Sequence, residues 1–149
     1  MRKAAVLDPD FAPGRFYLTF ALVQAGELED ALVQAKHTLE LSASHPAGLS
    51  AMTLVHAAAG RKAAARKEIE RMEHLSMKRH VAPYFIALAY AALGETVKTF
   101  EWLERAFVER SGWLWYVKND PVFDALRSDP RLSSLVQRVD PSPGSAEKS

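Results

Sequence analysis

The stretch Phe16–Leu39, FYLTFALVQAGELEDALVQAKHTL, recurs in outline as Ser50–Glu73, SAMTLVHAAAGRKAAARKEIERME, and again as Tyr84–Phe107, YFIALAYAALGETVKTFEWLERAF. Gly26, Gly60 and Gly94 set the register at spacings of 34 and 34, and Gly14 and Gly48 share it. The columns around them agree in character: Leu18, Met52 and Ile86; Thr19, Thr53 and Ala87; Leu22, His56 and Tyr90; Ala31, Ala65 and Thr99. One helical run leads into each glycine and a second follows, over residues 27–41, 61–75 and 95–109. Each unit therefore predicts a helical hairpin in which glycine supplies the permissive backbone of the turn. The small residues Thr19, Thr53, Ala87, Ala31 and Ala65 let the two helices of a unit approach closely.

Composition agrees. Alanine supplies 24 of 149 residues, and it is the residue that loses no side-chain entropy in a helix. No run of β-branched residues alternates with polar ones over strand length, so a sheet has no support. Apolar residues at 48% and charged residues at 25% are those of a folding chain long enough for one domain. The net charge of +1 provides no global field toward nucleic acid or anionic membrane. The absence of cysteine removes disulfides, thiolate nucleophiles and thiolate-bound zinc. The apolar stretch before Asp8 and Pro9 is too short for a signal segment, and no stretch approaches the length of a membrane span. A cytoplasmic location is the expectation.

With this repeat the chain resembles the tetratricopeptide repeat family, whose unit carries W-x2-L-G-x2-Y, then A-x3-F, then P. The leucine, tyrosine and second-helix alanine columns are largely kept. The tryptophan column holds Arg15, Leu49 and Pro83, and the second-helix aromatic becomes Ala35, Ile69 and Leu103. The resemblance implies an all-α, right-handed superhelical stack of three hairpins over residues 12–45, 46–79 and 80–110. Residues 1–11, with Lys3 to Pro9 reading as the end of a preceding repeat, imply the C-terminal piece of a longer array.

Beyond Arg110 the register fails, because Ser128 stands where a further glycine would fall. Residues 111–135, SGWLWYVKNDPVFDALRSDPRLSSL, resemble the tail that follows such repeats in large bacterial regulatory proteins, where the array is joined to a winged-helix DNA-binding domain, a nucleotide cyclase or a protein kinase. Asp120-Pro121 and Asp129-Pro130 each place a capping acceptor before a first-turn proline. They predict short helices near 121–127 and 130–139, within a Trp-rich capping segment over 111–139. Residues 140–149, DPSPGSAEKS, carry no apolar periodicity and are expected to be disordered.

In the family the first helices line a concave groove, and the inward positions fall here on Phe16, Phe20, Val23 and Gln24, on Ser50, Leu54, Ala57 and Ala58, and on Tyr84, Leu88, Ala91 and Ala92. These lie at i, i+4, i+7 and i+8, one stripe per helix. None is the Lys, Asn or Arg by which family members grip a C-terminal carboxylate, which disfavours such a clamp. An apolar stripe suits an amphipathic helix or apolar peptide, with the Tyr84 hydroxyl orienting the guest. Burial by the chain's own tail or by a second copy, and a small ligand, are the other occupants. The alternative function is self-association into a homo-oligomer, as a dimerisation module of a larger regulatory protein, since an uncapped array end is a surface that a second copy can cover.

Other features point less directly to a site. Residues 61–80 hold seven Lys or Arg against three Glu, but with no aromatic residues nearby for base stacking they read as a solvated helix rather than a nucleic-acid surface. His37, His45, His56, His74 and His80 show no metal-binding spacing. His56, on an otherwise apolar helix, is a secondary candidate ligand or a structural histidine. Trp113 and Trp115 are candidate partner anchors or a hydrophobic cap. No nucleophile–base pair, phosphate-cradling loop or carboxylate dyad has usable spacing. The reading is a non-catalytic scaffold that binds protein or peptide, with no cofactor, metal or membrane partner.

Overall fold

A computed structural model describes residues 12–41, 46–78 and 81–140. The stub 1–11, His45, His80 and the tail beyond Asp140 lie outside the described residues, and so do the expectations made for them. The described chain is all-helical: α1 (Ala12–Gln24), α2 (Leu28–Leu41), α3 (Pro46–Ala58), α4 (Lys62–Lys78), α5 (Pro83–Leu93), α6 (Thr96–Val108), two 3-10 segments (Gly112–Tyr116 and Pro121–Leu126) and α7 (Pro130–Val139). Where the sequence predicted a short helix near 121–127, a 3-10 turn stands instead. The chain also makes a 3-10 turn at Gly112–Tyr116, within the Trp-rich run. Both are anchored by side-chain caps, Ser111 accepting from the Trp113 N–H and Asp120 from the Val122 N–H.

The glycine turns share one hydrogen-bond pattern. Gly26, Gly60 and Gly94 have φ of 80°, 79° and 84°. Each donates to the carbonyl three residues back, and the next residue donates five back, as in Gly26 N–H to Val23 and Glu27 N–H to Leu22 at 3.0 and 2.9 Å. That pair of bonds satisfies the orphan carbonyls of the ending helix and reverses the chain. A fourth copy ends α6: Arg110 donates to Phe107 and Ser111 to Ala106, both at 3.0 Å. Here the left-handed position is held by Arg110, at φ 56°.

α1 and α5 each pack on α3 in a first layer; α2 rests on α1 and α3, α4 on α3 and α5, and α6 on α5. The predicted small-residue columns are the seams between the layers, with Thr19, Thr53, Ala87, Ala31 and Ala65 all fully buried. The buried hydroxyls are satisfied within their own helices, Thr19 donating to the Arg15 carbonyl and Thr53 to that of Leu49, each at 2.9 Å. Gly48 marks the tightest approach: a Cβ there would lie 3.0 Å from Leu39 Cα on α2. α7 packs on α6, and the second 3-10 turn packs on α5, so the C-terminal segment covers parts of both layers.

Two substitutions test this packing. Ala65→Leu should cost about 1–3 kcal/mol by overpacking the seam between α4 and the first layer, read from urea denaturation; an unchanged midpoint would mean that the seam has room. Arg110→Gly should stabilise by about 0.5–1 kcal/mol, because glycine occupies the left-handed region without the Cβ–carbonyl clash. A loss of stability would show that the Arg110 side chain matters more than its backbone.

Candidate functional site

The inward stripe splits along its own length. Its first row, Phe16, Ser50 and Tyr84, is buried in every unit, at 1% exposure or less. Its last two rows, Val23, Ala57 and Ala91 and then Gln24, Ala58 and Ala92, line one half-open cleft of about 520 Å3. The row between, Phe20, Leu54 and Leu88, is buried throughout; Phe20 and Leu54 border the cleft and Leu88 does not. The fourth wall is the second 3-10 turn, through Pro121, Val122, Asp124 and Ala125. Most lining residues are apolar, with Gln24 and Asp124 the exceptions, but polar and apolar surface contribute to the lining about equally. Such a cavity is of the size that binding clefts take.

The turn closes the first row at Tyr84. Phe123 is fully buried and meets the Tyr84 ring edge-on at 5.8 Å. Beside it Asp120, 3% exposed, receives two phenol hydroxyls on one carboxylate oxygen, from Tyr17 on α1 and from Tyr84 on α5, each at 2.5 Å. The other oxygen accepts the Val122 N–H at 3.1 Å. Arg127 clips the same loop from its far side, donating to the carbonyls of Val117 at 3.0 Å and Asp120 at 2.7 Å. The hydroxyl of Tyr84, expected to orient a guest, is therefore spent on the chain's own carboxylate. Ser50 likewise donates inward, to the Phe85 carbonyl at 2.8 Å.

The electrostatics follow from burial. Loss of solvation raises the Asp120 carboxyl above the ordinary aspartate range, while the two tyrosine bonds, the Val122 N–H and the nearby Arg127 charge hold it down. The phenols of Tyr17 and Tyr84 are raised well above the usual tyrosine value, first by burial and then by the Asp120 charge. Tyr90, which donates to Glu73 at 2.7 Å, is raised by burial and by that carboxylate.

The secondary candidates stand apart from the cleft. His56 is half-buried, and its Nδ1 is enclosed without a hydrogen-bond partner among the described residues. Trp113 packs edge-on against Phe85 at 5.1 Å, while Trp115 is 65% exposed. No three His, Asp or Glu side chains converge as a metal site among the described residues. No helix among them is long and apolar enough to cross a membrane. The residues that sequence reasoning missed are Tyr17 and the 3-10 rim. The sequence marks Asp120 as a cap, but its partners lie 103 and 36 residues away, where no local pattern reaches.

The raised phenols fix a pH dependence. A group whose folded pKa exceeds its unfolded value contributes stability that is present below the unfolded value and lost as pH rises. Above about pH 10, stability should fall by about 1.4 kcal/mol per pH unit for each of Tyr17 and Tyr84 that stays protonated in the fold, and by less for the more solvent-screened Tyr90. In Tyr17→Phe/Tyr84→Phe only the Tyr90 share of that slope should remain. Urea midpoints between pH 8 and 11 measure both, and equal slopes would contradict the assignment.

Comparison with family models, with curated proteins and with solved structures finds no match to this chain.

Proposed function

We propose that this chain is a non-catalytic interaction module, a right-handed superhelical stack of tetratricopeptide-like hairpins whose cleft receives an apolar or amphipathic peptide helix. The observation that carries this reading is the division of the inward stripe. Its first row is buried, with the chain's own C-terminal segment packed on Tyr84, and its last two rows remain as one cleft of mixed apolar and polar lining shared by three successive units. A guest with apolar side chains at i, i+3, i+4 and i+7 would lay one face on Phe20, Val23, Leu54 and Ala57. Its polar side would meet Gln24 and Asp124. Small side chains on α3 and α5 leave room for the guest backbone to come close. The resemblance of residues 111–135 to tails of bacterial regulatory proteins supports a parent protein in which such a module receives a partner or another domain, in a cytoplasmic setting.

Selection of a displayed library of helical peptides on the full chain tests the reading. Enriched peptides should carry one apolar stripe, and Ala57→Glu, at a half-buried position on the cleft floor, should weaken them by about tenfold or more with helicity unchanged, as expected for a charge placed in an apolar contact. Val108→Glu, on an exposed residue of α6, should leave binding intact. Peptides insensitive to Ala57→Glu, or no enrichment, would remove the cleft as the binding site.

A further inference from the structure

The outer layer carries a charge pattern that the cleft does not use. On α2 the exposed carboxylates Glu29, Asp30 and Glu40 have no cationic partner among the described residues. On α4, the next helix of the same layer, Lys62, Lys67 and Lys78 are exposed and have no carboxylate partner among them. The one residue of opposite sign on each exposed face also inverts: Lys36 on α2 and Glu70 on α4 occupy equivalent positions, 34 apart. Each face also exposes one large apolar side chain, Val33 at 62% and Met77 at 82%. The α4 face is not flat; Lys67, Arg71, His74 and Lys78 border a shallow groove that contains Leu75.

We propose that this outer face is a self-complementary interface between two copies of the chain, α2 of one lying against α4 of the other. A two-fold axis running between the helices and along them carries α4 of the partner over α2 and α2 of the partner over α4, so every acidic–basic contact is made twice. The same operation sets Lys36 level with Glu70 of the partner subunit. Like charges would face each other if the axis ran across the helices, so the charge pattern selects this arrangement. Two helix faces bury an area at the low end for specific association, so the dimer is weak, quickly formed and salt-sensitive. The inference is independent of the peptide cleft, which opens on the other layer.

Sedimentation velocity of the full chain across concentration tests it. At about 25 mM salt the wild type should dimerise with a dissociation constant on the order of tens of micromolar, weakening about tenfold or more at 300 mM as the charges are screened. Lys67→Glu/Lys78→Glu and Asp30→Lys/Glu40→Lys, all at exposed positions, should each be monomeric with unchanged helicity. Mixed in equal amounts they should form the dimer again, because the acidic α2 of the first variant meets the basic α4 of the second, and the reversed helices also pair. Ala57→Glu should dimerise like the wild type, which separates this interface from the cleft. A wild type that stays monomeric at low salt, a dimer that survives either reversal, or a mixture that fails to associate would each overturn the proposal.

Discussion

Pro83 to Tyr90 are eight consecutive buried residues, so α5 has no face that it can leave to water. A helix apolar all round must be surrounded, and here α3, α4 and α6 surround it on three sides. The remaining side, carrying Tyr84 and Leu88, has no further helical hairpin to cover it. The C-terminal segment does so instead, through Phe123 and the 3-10 turn that holds it. The same requirement decides where the cleft opens. Toward the ends of α1, α3 and α5 the stripe turns to Gln24, Ala58 and Ala92, whose small or polar side chains tolerate exposure, and there the covering turn stops.

Covering α5 this way places Asp120 inside the protein. A buried carboxylate costs several kcal/mol in lost hydration, while hydrogen bonds to a charged group return about 1.5–3 kcal/mol each. Three such bonds, from Tyr17, Tyr84 and the Val122 N–H, are of the size needed to offset that cost, leaving little surplus. The contribution of Asp120 is therefore placement more than stability. It fixes one position of the turn, because any other leaves a charge and two phenols without partners. Tyr17 on the first helix and Tyr84 on the fifth meet on one oxygen, so the start and the end of the described chain are tied together.

The hairpins could be read from the sequence because their causes are local. A glycine in the left-handed region, two backbone bonds and small residues at the seams recur every 34 residues, and each operates within one unit. The turn at Arg110 escaped that reading because its backbone pattern is the same while its residue is not glycine. The inward stripe was also accessible, since helical periodicity alone puts Phe16, Phe20 and Val23 on one side. Which part of it stays open was not: that depends on Phe123 and Asp120, whose contacts with α1 and α5 span long stretches of chain. The 3-10 geometry of Pro121–Leu126 was missed for a related reason. A capping aspartate followed by proline starts either kind of helix, and the choice falls to the packing of Phe123 and the grip of Arg127 on the Val117 and Asp120 carbonyls.

The two layers divide the surface by chemistry as well as by position. Apolar side chains line most of the cleft on the α1–α3–α5 side, whereas the exposed faces of α2 and α4 carry charges, of which Arg66 and Arg71 pair with Glu95 and Glu68. The layers meet through Ala31, Ala65, Ala87 and Thr53, all fully buried, which leave no space for a side chain on one surface to influence the other except by moving a whole helix. Substitutions on exposed residues of the two faces share no partner, and effects at such sites generally add. The two proposed sites lie on separate surfaces, so a guest in the cleft and a second copy on the outer face would not compete. Dimerisation would then set two clefts in a fixed relation, so that a divalent partner gains avidity only when its segments match their separation.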